Sequence, residues 1–105
     1  MDQYILDGKT PRLVSWTDYL AYAKEKGDST WRQVAKDSKD GVMVSTVFLT
    51  IDHAWGGGAP VLFETMIFGG PHDEWQDRYH TWDEAEAGHA TACEMAGITP
   101  SNAPK

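Results

Sequence analysis

Residues 42–52 read Val-Met-Val-Ser-Thr-Val-Phe-Leu-Thr-Ile-Asp, and this run limits what the chain can fold into more than any other feature. β-Branched side chains are stiff at χ1 and sit well on a pleated sheet. One alternating face carries Val42, Val44, Thr46, Phe48 and Thr50; the other carries Met43, Ser45, Val47, Leu49 and Ile51. Both faces are largely apolar, so the strand belongs inside a sheet and is covered at least partly on both sides. A second apolar run, residues 61–68 (Val-Leu-Phe-Glu-Thr-Met-Ile-Phe), follows the loop 53–60, which holds Gly56, Gly57 and Gly58 and ends at Pro60. Two such strands joined by a short loop are most simply an antiparallel hairpin. Pairing Leu49 with Glu64 and Ile51 with Leu62 is the expected register.

Two helices flank these strands. Ser15 stands before Trp16, Tyr19, Leu20 and Ala23 at helical spacing, with Asp18 three residues after it. Lys24 and Lys26 suit the negative end of the dipole and Gly27 suits the stop, so a helix is expected over 16–26. The capping box Thr81-Trp82-Asp83-Glu84 opens a second helix over about 82–95, whose inner stripe is Trp82, Ala85, His89, Ala92, Cys93 and Ala96. Short strands are expected at residues 4–6, before the Asp7-Gly8 turn, and at 31–36, with Asp37 to Gly41 as turn. The order β-α-β-β-β-α implies an α+β domain over 1–97, with a small antiparallel sheet of three or four strands and two helices. Residues 98–105 are expected to form a flexible tail.

Charge sets limits on partners. The formal net charge is −7, and it is segregated. Residues 1–52 hold seven Lys/Arg and eight Asp/Glu, whereas residues 53–105 hold only Arg78 and Lys105 against eight acids. Such a field repels nucleic acid and anionic membranes and attracts basic surfaces. No stretch approaches the roughly 18 apolar residues of a membrane span, and no basic-then-apolar leader follows Met1. With Cys93 the single cysteine, no intrachain disulfide can form, as in a reducing cytoplasm.

The residues Ser45-Thr46-Val47-Phe48-Leu49, Asp52-His53, Leu62-Phe63-Glu64-Thr65, Phe68-Gly69-Gly70, Arg78-Tyr79 and Thr81-Trp82-Asp83-Glu84-Ala85 with Gly88-His89 form a pattern. Over roughly residues 42–92 it resembles a family of small, functionally unassigned proteins encoded by bacteriophages and prophages. The resemblance implies an accessory protein at work in the bacterial host cytoplasm. It carries no catalytic residues across.

Three sets of residues are candidates for function. In the expected register His53 and Glu64 share a sheet face, and His89 sits on the helix stripe packed onto the sheet; a carboxylate between two imidazoles could bind Zn²⁺ or Mn²⁺ and serve a small metal-dependent hydrolase. The structural alternative has Glu64 bonded to His89 or Arg78, with no cofactor at all. Trp55 and Trp75 lie in loops, Trp75 among Asp73, Glu74 and Asp77, with Glu84 following. If exposed, these rings would anchor a host protein with a basic surface, steered by the acids. That yields the leading expectation: a phage-encoded binding protein that modulates a host protein, such as a defence or nucleic-acid enzyme. A homo-oligomer built by edge pairing of 31–36 or 61–68 is the third expectation. The triple-glycine loop lacks the Lys-Ser/Thr and the helix of a phosphate loop, and Ser15, Ser29, Ser38 and Ser45 lie in no nucleophile elbow.

Overall fold

The computed structural model describes residues 3–54 and 57–101. In chain order they form β1 (Gln3–Asp7), β2 (Thr10–Val14), α1 (Trp16–Lys26), one 3-10 turn (Ser29–Arg32), β3 (Gln33–Lys39), β4 (Val42–Phe48), β5 (Phe63–Phe68), β6 (Gln76–Tyr79) and α2 (Trp82–Ala96). The architecture is α+β. β1 and β2 make a two-stranded antiparallel sheet, and the other strands make a four-stranded antiparallel sheet in the order β3-β4-β5-β6.

The run that begins at Val42 is an interior strand, as its two apolar faces require. β4 pairs with β5 from Met43↔Phe68 to Phe48↔Phe63, so Glu64 faces Val47 rather than Leu49. The slip is two residues, which matches the side-chain period and leaves every residue on its expected face. Val44, Thr46 and Phe48 of β4 and Phe63, Thr65 and Ile67 of β5 are fully buried on one face. α2 lies across that face and contributes Ala85, His89, Ala92 and Cys93 to the interior. Met43, Ser45, Val47, Glu64 and Met66 point the other way and are half-buried.

Several boundaries differ from expectation, each for a physical reason. Asp40 and Gly41 both have positive φ (52° and 81°), forming a two-residue loop whose twist matches antiparallel strands. β3 therefore runs on to Lys39, and Asp37 is a strand residue opposite Val44 rather than the start of a turn. β2 contains Pro11, tolerated because this strand has a partner on one side only. β6 is polar at all but its last residue, Tyr79, because it closes the sheet as an edge. The 61–68 segment is paired on both sides and is no free edge. Residues 98–101, expected to be loose, are tied down. Gly97 takes the left-handed conformation at the end of α2, Ile98 N–H donates to Cys93 O at 2.8 Å, and Ile98 is 7% exposed.

An aromatic chain ties the halves together. Ring centroids follow at 5.0 Å (Tyr22–Trp31), 6.1 Å (Trp31–Phe48), 5.4 Å (Phe48–Phe63) and 6.2 Å (Phe63–Trp82), all tilted or edge-on. Each such pair contributes about 0.5–1.5 kcal/mol beyond area burial. The β1-β2 hairpin docks through Tyr4 N–H to Thr50 O (2.8 Å), and Tyr22 Oη donates to Leu6 O (2.9 Å). α1 itself buries no residue completely.

Gly88 shows how closely α2 approaches the sheet, since a Cβ there would collide with the Tyr79 ring and hydroxyl. By helix propensity alone Gly88→Ala stabilises by about 1 kcal/mol, whereas overpacking costs about 1–3 kcal/mol. Urea denaturation of Gly88→Ala is expected to show net destabilisation, relieved by adding Tyr79→Leu. A stabilised Gly88→Ala protein would show that the ring does not lie against the helix.

Candidate functional site

Beneath α2 a line of polar side chains crosses an otherwise apolar interior. Asp37 on β3 accepts from His89 Nε2 at 2.7 Å, His89 Nδ1 meets Thr46 Oγ1 at 2.7 Å, and Thr46 Oγ1 meets Thr65 Oγ1 at 2.5 Å. His89, Thr46 and Thr65 are fully buried, and the Asp37 side chain is 12% exposed. The placement follows from local structure. Asp37, Val44 and Ile67 lie in one cross-strand row and Ala35, Thr46 and Thr65 in the next, both on the covered face. Small Ala85 and Ala92 on either side of His89 let the helix settle close enough for the imidazole to reach both rows.

The hydrogen-bond inventory orients this line. An ionised Asp37 only accepts, so Nε2 of His89 holds a proton toward it. In the neutral ring Nδ1 is then an acceptor; Thr46 donates to it, and Thr65 donates to Thr46. Asp37 also accepts from Ser101, whose N–H lies 3.1 Å from Oδ1 and whose Oγ lies 3.2 Å from Oδ2. Burial alone pushes the Asp37 carboxyl upward, but the bonds from His89 and Ser101 outweigh it and hold the group below the ordinary aspartate value. Cys93 Sγ stands 3.9 Å from Asp37 Oδ2. Burial first, then the Asp37 charge, pushes its thiol up to about 11, so without a metal it is neutral at physiological pH. At the far end the Tyr79 hydroxyl is buried and has no partner of good geometry among the described residues, though Thr65 stands nearby. Burial raises its pKa, Thr65 opposes the rise and Asp77 adds to it.

Asp37, His89 and Thr46 have the connectivity of a proton-relay triad. Thr46 and His89 are completely enclosed, however, so no substrate carbonyl can reach the hydroxyl, and the arrangement as it stands is a satisfied buried network.

The structure does not assemble the expected trio of His53, Glu64 and His89. Glu64 lies on the sheet face away from α2 and accepts from Arg78 Nε at 2.8 Å, directly across the β5-β6 pair. His53 lies beyond the end of β4, exposed; its N–H donates to Val61 O (3.0 Å), beside an Asp52 carboxylate that accepts from Ala54 and Val61 N–H. Hydrogen bonds from Ala54 and then Val61 hold the Asp52 carboxyl below its ordinary value. Only His89 belongs to a cluster. Its partner Asp37 has no local signal of a site, because Asp37–Gly41 has the composition of a turn while Asp37 itself is the strand residue opposite Val44. Counting back from Asp40-Gly41 as the hairpin loop pairs Asp37 with the core residue Val44.

The expected docking residues divide. Asp73, Glu74, Asp77 and Glu84 are exposed, and none of the four forms an ion pair among the described residues. Asp73 accepts from Gly69 N–H, Asp77 from Arg78 N–H, and Glu84 from His80 and Thr81 N–H. Trp75 is half-buried against the cluster of Val44, Ile67, Ala92, Cys93 and Ile98. Trp55 lies outside the described residues. Among the described residues Trp16 is the tryptophan left in solvent, 54% exposed, with Leu20 one turn along at 48%.

No protein-family model matches the chain, and no curated protein or solved structure matches it. Among the described residues no helix is long and apolar enough to cross a membrane.

Because Asp37 has a folded pKa below its unfolded one, its stabilisation is fully present above the unfolded value of about 4 and is lost as pH falls through the folded value. Asp37→Asn is expected to unfold at lower urea than wild type at neutral pH, by about 1–3 kcal/mol. The gap between the two should narrow progressively below about pH 4. A gap independent of pH would contradict the carboxylate's role.

Proposed function

We propose that the chain is a binding protein, an accessory product of phage type that docks on a host protein with a basic surface and modulates it. The single observation that carries this reading is Trp16 and Leu20, standing half in solvent on a helix that buries none of its own residues completely. A well-packed interior already exists without them. Indole rings left in water are costly and are the side chains most often found at the energetic centre of protein interfaces.

Charge complementarity supports a basic partner. At −7 overall, two copies repel each other at long range and phosphate polymers are repelled too, whereas a basic protein is attracted. Asp73, Glu74, Asp77 and Glu84 lie exposed in and just before β6 and at the start of α2, and form no ion pair among the described residues. In this reading they raise the association rate and orient the encounter, and the α1 side chains supply the residence time. A host enzyme with a phosphate-binding groove, including a defence nuclease, has the surface chemistry this pattern suits.

The test is a purified partner recovered from host lysate and then titrated calorimetrically. Trp16→Ala is expected to weaken binding more than tenfold, the effect of removing a hot-spot residue worth about 2 kcal/mol. Glu74→Lys with Asp77→Lys is expected to slow association and flatten its salt dependence. Unchanged affinity in Trp16→Ala overturns the reading. So does sedimentation showing a dimer of this chain that the same substitution dissolves.

A further inference from the structure

The cluster beneath α2 has a member that its hydrogen bonds do not need. Cys93 follows His89 by four residues, which puts both on one helix face. Its sulfur points at the same Asp37 oxygen that His89 contacts, and the three candidate ligand atoms lie within 4.8 Å of one another. Among the described residues no other trio of His, Cys, Asp or Glu converges in this way.

We propose that Asp37, His89 and Cys93 form a binding site for a zinc-class divalent cation, with Ser101 or a water in the fourth position. Zinc–oxygen and zinc–nitrogen bonds of about 2.0–2.2 Å and a zinc–sulfur bond of about 2.3 Å place tetrahedral ligands about 3.2–3.8 Å apart. Starting from 2.7 Å between Nε2 and Oδ2 and 3.9 Å between Sγ and Oδ2, small side-chain rotations reach that geometry. A thiolate and an imidazole select zinc over magnesium, calcium or manganese. One carboxylate and one thiolate also neutralise the ion, so the filled site carries no net charge into the interior.

The protons balance. The Cys93 thiol gives its proton to solvent as sulfur binds the metal, so affinity rises with pH. The His89 ring loses no proton overall. Nε2 takes the metal, the ring proton moves to Nδ1, and Thr46 turns from donor to acceptor, the role metal-bound histidines usually give their outer partner. Thr46 then donates to Thr65, which can turn its own proton toward the otherwise unpartnered Tyr79 oxygen. Ser101 N–H holds Asp37 Oδ1 while Oδ2 binds the metal.

Cobalt(II) titration of the full chain tests the site, because thiolate-to-cobalt charge transfer reports sulfur ligation and Cys93 is the only cysteine. Wild type is expected to develop that band with tetrahedral-type visible absorption, and zinc should abolish both by competition. Cys93→Ala should lose the charge-transfer band, and Asp37→Asn should weaken cobalt binding at least tenfold; circular dichroism confirms that each variant is folded. The exposed imidazoles of His53, His72 and His80 cannot imitate the band. No charge transfer in wild type overturns the proposal, as does cobalt affinity unchanged in folded Asp37→Asn.

Discussion

Burying a histidine under a helix obliges the surrounding chain to satisfy two ring nitrogens, and much of this structure follows from that obligation. An unpaired polar group in a dry interior costs about 1–3 kcal/mol. His89 avoids that cost only if β3 delivers Asp37 to one nitrogen and β4 delivers Thr46 to the other. Both deliveries fix register. A one-residue slip of β3 against β4 would turn Asp37 to the open face, and a similar slip of β4 against β5 would separate Thr46 from Thr65. The network therefore rewards one strand alignment over its neighbours, which the apolar side chains alone would do less sharply. The helix must also come close, which explains small Ala85, Gly88 and Ala92 around the imidazole and the absence of a Cβ where Tyr79 lies. Even the segment beyond α2 is drawn in, since Ser101 completes the shell of Asp37.

Much of this was legible in the residues. The α+β class, both capped helices and the interior character of the 42–48 segment came from local chemistry: a side-chain oxygen facing free N–H groups, a glycine able to turn left-handed, and β-branched residues on two faces. The buried stripe of α2 was readable too, because helical spacing alone places Ala85, His89, Ala92 and Cys93 together. What local chemistry could not show was tertiary. β6 has one buried residue in four and no periodic signal. Asp37 reads as a turn-former until the Asp40-Gly41 loop is recognised as the hairpin centre. Alternation puts Glu64 and His53 on one face, but nothing in the sequence says which face a helix will cover. Trp75 looks like a loop residue and packs inward, whereas Trp16, on the apolar stripe of a capped helix, remains outside, because α1 settles on the two-stranded sheet rather than on the main one.

The molecule thus separates two kinds of surface. Among the described residues the interior pairs nearly all of its polar groups, and the exterior keeps acids around β6 and an aromatic–aliphatic pair on α1 that stands half in solvent. The buried trio of Asp37, His89 and Cys93, by contrast, meets solvent only at the Asp37 carboxylate.

The most direct test of the central constraint is nitrogen-15 NMR of the His89 ring in metal-free protein in mildly alkaline buffer. The account predicts a pyrrole-type Nε2 bearing the proton, a pyridine-type Nδ1, and slowly exchanging hydroxyl protons on Thr46 and Thr65. A ring protonated at Nδ1 alone, or hydroxyl protons that exchange as freely as those at the surface, would contradict it.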